Sequence, residues 1–272
     1  MYTMYARNAP AIHFATFLAP SIYHTYEYIA RYIGEKVGYP TTLIAGQSFE
    51  ELTGGQVDVA FICGLPYVQL ADAPDSNIEL LGAPVLLGER YRHRSVYFSD
   101  VIVRNSSPYT SFDDLAGCVW AYNQPGSHSG YNLVCYSLLE WGKTPHYFGS
   151  MVEAGSHQRS LQMVLKGQAD ATAIDSHVLD VLLLQDRELG SQLRVVATLG
   201  PSSIPPVIVV KNLDRDLKYR MREALITMHC DPDAARSLQE GGIERFAPVS
   251  DADYDDIRKI AARVRDAMKA PF

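Results

Sequence analysis

Apolar and polar positions along this chain switch repeatedly between a period of two and a period near 3.6 residues. In the stretch 12–17, Ile12, Phe14, Ala15 and Phe17 are apolar, which predicts a strand. From 22 to 37, apolar or aromatic side chains recur at Ile22, Tyr26, Ile29, Ile33 and Val37. That is a helical stripe, and it stops before Gly38 as a helix should. A second strand is expected over 41–44. A short helix follows from Ser48, with Ser48 and Glu51 spaced as a capping box, and a third strand over 57–62. Strands and helices alternating at these lengths imply βαβ units on a largely parallel sheet.

The same grammar returns further on. Strands are expected over 119–122 and 171–174, and helices over 131–141, 160–165 and 176–184. One echo is specific: Gly55-Gln56-Val57-Asp58-Val59-Ala60 resembles Gly167-Gln168-Ala169-Asp170-Ala171-Thr172. Two lobes with related plans would explain it. A β-rich run over 95–104 joins the halves and is broken by Asn105, Ser106, Ser107 and Pro108. A second break at Ser202, Ser203, Ile204, Pro205 and Pro206 precedes a strand over 207–210 and helices over 217–229, 233–240 and 253–268. Two breaks flanking one lobe suggest that the chain crosses over and returns, which makes a hinge and leaves a cleft between the lobes.

Composition narrows the partners. The 272 residues are 47% hydrophobic and 20% charged, the balance of a globular chain with room for two lobes. A net charge of −7 argues against nucleic acid, because a phosphate backbone needs a basic face. It leaves room for a small anion, which a few local donors can hold. No apolar run approaches the ~20 residues of a membrane span. Cys63, Cys118, Cys135 and Cys230 lack metal-ligand spacing and read as free thiols. The first ten residues carry one positive charge, Arg7, ahead of a short apolar piece, a poor signal peptide. On that reading Met1 as the native start would put the protein in the cytoplasm.

The candidate chemistry gathers at strand-to-helix junctions. Gly126-Ser127-His128-Ser129-Gly130 lies between an expected strand and an expected helix. Unpaired N–H groups at a helix start, the helix dipole, two hydroxyls and an imidazole together make an oxyanion cradle. The alternative is that Ser129 only caps a helix. Gly155-Ser156-His157 opens a second helix, and Asp175 ends a strand, where it either caps the next helix or meets a ligand proton. If His157 or His128 binds as imidazolium, affinity for an anion falls as pH rises. Ser127 or Ser129 with His157 and Asp175 also raises a hydrolase, but the central residue of the loop is His128, so the G-x-S-x-G elbow is absent. His128, His157 and Asp175 form no local metal motif, and neither metal nor cofactor is expected.

The order and spacing of several pieces carry a resemblance. They are the 55–61 run, Tyr97-Phe98-Ser99-Asp100-Val101-Ile102-Val103, Ser111-Phe112-Asp113-Asp114-Leu115-Ala116-Gly117, the 125–131 loop, Gly155-Ser156-His157 and Ala173-Ile174-Asp175-Ser176. Together they resemble the PhnD-like substrate-binding proteins of ABC importers for phosphonate, phosphate or phosphite. The resemblance implies a type II periplasmic-binding-protein fold of two Rossmann-like lobes joined by two crossover strands. Lobe one would be 1–103 plus 206–272 and lobe two 104–205. It implies a non-enzymatic, periplasmic or extracytoplasmic protein, a monomer, that captures a small oxyanion for an ABC permease. A cytoplasmic or fused sensor on the same fold is the alternative, and an esterase-type hydrolase a more distant one. The family's Ser-Thr-Ser loop matches Ser127 and Ser129, with His128 in place of the threonine. Its histidine matches His157, its aspartate Asp175, and its crossover tyrosine Tyr97, which would close over the ligand. A second family tyrosine has no counterpart in Ala45-Gly46-Gln47-Ser48. Tyr67 either compensates for it or packs on its own lobe.

Overall fold

The computed structural model describes residues 11–143 and 146–269, so the reading of the first ten residues as a leader lies outside the described residues. The chain begins with strand β1 (Ile12–Thr16), helix α1 (Tyr23–Val37), β2 (Thr41–Ala45), α2 (Glu50–Thr53) and β3 (Val59–Phe61). The stripe of α1 buries Tyr26, Ile29, Ile33 and Val37 against the sheet. Helix α3 (Gly64–Ala71) and strand β4 (Ile78–Leu86) follow; a helix through Tyr67 was not expected from the sequence pattern.

The chain then enters a second layer with β5 (Val96–Arg104), β6 (Val119–Tyr122), α4 (Leu133–Glu140), β7 (Ser150–Glu153), α5 (His157–Leu165) and β8 (Ala171–Asp175). Helices α6 (Ser176–Gln185) and α7 (Leu189–Gln192) lead to β9 (Leu193–Ser203). It returns through β10 (Val207–Val210), α8 (Arg215–Thr227), α9 (Pro232–Glu240), β11 (Ile243–Ala247) and α10 (Asp255–Lys269).

Two sheets result, ordered β11-β4-β10-β3-β1-β2 and β7-β6-β8-β5-β9. Neither is purely parallel. Strands β1, β2 and β3 run parallel, as do β6, β7 and β8, but β10 is antiparallel to β3 and β5 is antiparallel to β8. Strands β10 and β5 arrive from the other lobe, and β11, antiparallel to β4, adds a further reversed strand at the edge of the first sheet. Strand pairing also shifts the expected boundary: β5, assigned to lobe one up to 103, pairs along its length with β8 and β9 of the second sheet.

The sequence echo has a physical basis. Asp58 and Asp170 occupy matching places ahead of β3 and β8. Asp58 accepts from the His13 amide at 2.8 Å through its side chain and donates its own amide to the His13 carbonyl. Asp170 brackets Val119 in the same way, at 2.9 Å and 2.8 Å. The glycines that open the two echoes, Gly55 and Gly167, turn the chain at φ of 73° and 70°, a region side chains disfavour. Each lobe thus registers its central strand on its neighbour with one carboxylate.

The lobes meet along several contacts. Helix α10 packs on α3 of the first lobe and on α4 of the second. His177, on α6, donates from Nε2 to the Gly241 carbonyl, at the α9–β11 turn, across 2.6 Å. At the crossover, buried Asp100 on β5 takes a two-pronged pair from Arg90 at 3.0 and 2.7 Å and a third bond from Thr198 on β9 at 2.8 Å.

Candidate functional site

The cleft between the lobes encloses a cavity of about 850 Å³. The C-terminal ends of β6 and β8 and the starts of α4, α5 and α6 form its polar side, as expected for a ligand site in an α/β fold. Ser127, Ser129, His157 and Asp175 all line it, together with Asn123 and His177.

The 126–130 loop does not run directly into a regular helix. Residues His128–Asn132 form a single π-turn, with the Asn132 amide donating to the Ser127 carbonyl at 3.0 Å. Such wide turns recur at functional sites. Ser127 is the cap residue: its Oγ accepts from the Gly130 amide at 3.1 Å. Ser129 is pinned through its carbonyl, which accepts from Ser99 Oγ on β5 at 2.8 Å. Gly130 must be glycine for steric reasons, because a Cβ there would sit 2.0 Å from Asn123 Oδ1 and 3.2 Å from His157 Cε1.

His157, the first residue of α5, reaches the same loop. Its Nε2 lies 3.3 Å from Ser129 Oγ and 3.4 Å from Asn123 Nδ2. Because the Asn123 amide can only donate, the pattern assigns Nε2 as acceptor and leaves the ring proton on Nδ1. Burial pushes its pKa down to about 4, opposed in part by the Ala173 backbone. On its own His157 is therefore a neutral imidazole at neutral pH, and binding as imidazolium requires the anion to supply the charge that raises its pKa. Asn123 Oδ1 is buried without a hydrogen-bond partner beside this loop, while the equally buried His157 Nδ1 and Tyr97 hydroxyl have only the Ala173 backbone and the Ser129 side chain to turn to. A buried polar atom left unpaired costs ~1–3 kcal/mol and calls for a partner that completes it.

Asp175 does two jobs. Its Oδ1 caps α6, accepting from the amides of His177 at 2.8 Å and Val178 at 3.4 Å, and the residue also lines the cleft. Burial raises its pKa to about 7 against the pull of those two amides, with Asp180 and Asp100 adding to the rise. It makes no bond to His157, so Ser129, His157 and Asp175 do not form a catalytic triad.

The structure places three of the expected contacts outside the cavity lining. His128 is fully buried and faces away from the cleft. Asn132 Nδ2 donates to its Nδ1 at 3.1 Å, so Nε2 carries the proton and donates to Ser202 Oγ at 2.9 Å. Ser202 in turn donates to Asp256 Oδ2 at 2.6 Å. Burial holds the His128 pKa at about 4, with Asp256 pulling it up. The residue replacing the family threonine therefore ties the loop to β9 and α10; the wide turn rotates its side chain inward. Tyr97 is buried on β5 beneath the loop and does not line the cavity. Tyr67 also stays out of it: its hydroxyl donates to Asp251 at 2.7 Å and its ring packs edge-on against Tyr254, 4.7 Å between centroids.

The structure adds residues that sequence reading passed over. Cys63 lines the cleft just ahead of α3. Burial raises its thiol pKa, while the amides of His128, Leu65 and Gly64 act in the opposite sense, so amides of both lobes converge there. Phe17, Tyr26, Phe49 and Phe61 give the first lobe an aromatic wall. Among the described lining residues there is no lysine or arginine. Asn123 and His177 had no periodic signal; only their positions at a strand end and a helix start could have marked them. Among the described residues no group of three His, Cys, Asp or Glu side chains is arranged to hold a metal ion.

Comparison with known proteins agrees with the two-lobed fold. A family model described as the periplasmic substrate-binding protein of phosphonate ABC transporters matches residues 13–254. The phosphate-import protein PhnD of Mycolicibacterium smegmatis is 26% identical over 252 residues, 84% of this chain and 75% of that protein. The crystal structure of a binding-protein component of an ABC phosphonate transporter from Pseudomonas aeruginosa superposes with a TM-score of 0.83 at 17% identity, covering 95% of this chain and 88% of that one. PhnD1 of Prochlorococcus marinus, in complex with methylphosphonate, gives 0.82 at 14% identity, covering 94% and 98%. With the two-lobed fold, the cleft at the strand ends and a family model spanning nearly the whole chain, this protein belongs to the periplasmic substrate-binding proteins of phosphonate ABC transporters, a family of binding proteins and not of enzymes.

Proposed function

We propose that this chain captures a phosphonate or phosphate anion in the cleft, gripping its oxygens with the 126–130 loop, His157 and Asp175, and presents the closed form to an ABC permease. The observation that carries this reading is the convergence of Ser127, Ser129, His157 and Asp175 on one cavity with no lysine or arginine among its described lining residues. Neutral donors suit an anion that must be released again. Hydrogen bonds to a charged partner contribute ~1.5–3 kcal/mol each, while a buried ion pair is costly to break. Asp175, with a pKa about 7, accepts a proton from a singly protonated anion or donates its own. The lobes divide near 87–95 and 204–206, where the chain crosses between sheets, and closure about these crossings brings the aromatic wall onto the ligand. The residues of one copy suffice to line this cavity, which supports a monomer as the working unit.

Calorimetric titration with methylphosphonate and with inorganic phosphate tests the site. Micromolar or tighter binding of at least one is expected. Ser127→Ala with Ser129→Ala removes two donors to a charged group, a loss of roughly 100-fold or more. Unchanged affinity in the double variant would overturn the assignment.

A further inference from the structure

The cavity is far larger than the anion its polar side can hold. A five-heavy-atom oxyanion displaces on the order of 150 Å³ if each heavy atom takes the space of about one water. The cavity holds about 850 Å³, within the range of pockets that enclose whole organic ligands. On the first-lobe side the lining carries Phe17, Tyr26, Phe49, Phe61 and Phe246, with Thr16, Gln47, Ser48 and Gln69 as its polar members. Phe17, just after β1, and Phe49, just before α2, lie with ring centroids 4.7 Å apart at an interplanar angle of 40°, and both remain partly exposed in the cleft.

This pair is built into the backbone. The Phe17 amide donates to the Phe61 carbonyl at 3.0 Å, and the Gly46 amide donates to the Thr16 carbonyl at 2.9 Å, so both loops are fixed to the sheet. The Phe17 ring lies directly on Gly46, where a Cβ would approach Phe17 Cε1 to 2.2 Å. The glycine therefore reserves its space for the ring. Opposite the oxyanion loop the cleft offers two phenyl groups and, among the described lining residues, no cation for a second anionic group. Glu153, exposed at the end of β7 on the second-lobe side of the lining, disfavours a further negative charge beside it.

We propose that the ligand is an organophosphonate, or the corresponding phosphate ester, with an aromatic or similarly flat apolar substituent that packs against Phe17 and Phe49. The assignment rests on the reading of the cleft as an oxyanion site and adds the class of group attached to the oxyanion. Aromatic faces pack favourably in offset or tilted arrangements, beyond the gain from burying their area.

Calorimetry on the full chain with phenylphosphonate, methylphosphonate and 2-aminoethylphosphonate separates the possibilities. Phenylphosphonate is expected to bind at least about tenfold tighter than either of the others. In Phe49→Ala this ratio is expected to fall to about threefold or less; Phe49→Leu, which keeps apolar bulk, retains part of it. A methylphosphonate affinity equal to or tighter than that of phenylphosphonate overturns the proposal while leaving the oxyanion site standing. Tighter binding of the aminoethyl compound overturns it in favour of Glu153 or Asp175 as partner of an ammonium. Absence of binding by all three overturns the oxyanion reading as well.

Discussion

Replacing His128 by alanine opens a closed chain of hydrogen bonds, and its effect can be worked out from the contacts. Asn132 Nδ2 loses the acceptor 3.1 Å away and Ser202 Oγ loses the donor 2.9 Å away, while Ser202 keeps its 2.6 Å bond to Asp256. A buried donor left unpaired costs ~1–3 kcal/mol, and the void left by the ring adds to that. At pH 7.5 the variant is therefore expected to be about 3 kcal/mol less stable than the wild type. The deficit depends on pH. Burial lowers the His128 pKa from 6.5 to about 4. The unfolded chain then takes up the proton first, so this histidine's contribution is fully present above pH 6.5 and is lost as pH falls toward 4. At about 1.4 kcal/mol per pH unit, the gap is worth about 3 kcal/mol. Alanine lacks this dependence, so the deficit should shrink by about 2–3 kcal/mol between pH 7.5 and 4.5. His157 and His177, also lowered to about 4 by burial, titrate in both proteins and drop out of the difference. Urea unfolding of both proteins at pH 7.5, 6.0 and 4.5 reads the effect. A deficit that stays constant within about 0.5 kcal/mol refutes the neutral, buried imidazole.

Three further outcomes follow from the same contacts. Gly130→Ala drives a methyl group into Asn123 and against His157, so methylphosphonate affinity is expected to drop roughly tenfold or more in calorimetry; wild-type affinity would show that the loop yields without disturbing either residue. Because the Asp175 pKa is raised to about 7, its carboxylate gains charge as pH rises through neutrality, and affinity for an anion is expected to decline from pH 6 to 8. Asp175→Asn should flatten that decline, since any remaining slope belongs to the ligand; identical pH profiles in the two proteins would contradict the assignment. Tyr67→Phe deletes the bond to Asp251, which should cost about 1 kcal/mol of stability and leave ligand affinity within about twofold. A tenfold loss would return Tyr67 to the site.

Chain order, helix stripes and strand-to-helix junctions were legible in the sequence because they are local. The α1 stripe, the loop from Gly126 to Gly130, His157 ahead of its helix and Asp175 at a strand end each rest on neighbours within a few residues. The paired Asp58 and Asp170 also left a readable trace, since each acts through a short repeated segment. Strands β4, β7, β9 and β11 were not legible. Residues 193–203 show no clean alternation, because β9 is an edge strand with much of its length only partly buried. Its strand state comes from pairing with β5, nearly a hundred residues earlier.

The direction of each side chain belonged to the tertiary structure alone. Whether His128 met the ligand or the hinge depended on Ser202, 74 residues away, and on Asp256 beyond it. Tyr67 was drawn to Asp251, 184 residues away. The aromatic wall arises where the ends of β1, β2 and β3 come side by side. Sequence by itself determined the family's two-lobed plan and the loop proposed to hold the oxyanion, because repeated local patterns specify elements and caps. Which residues faced the cleft was decided by packing and by long-range hydrogen bonds, since burial rewards whatever partner the fold brings near, whatever its distance along the chain.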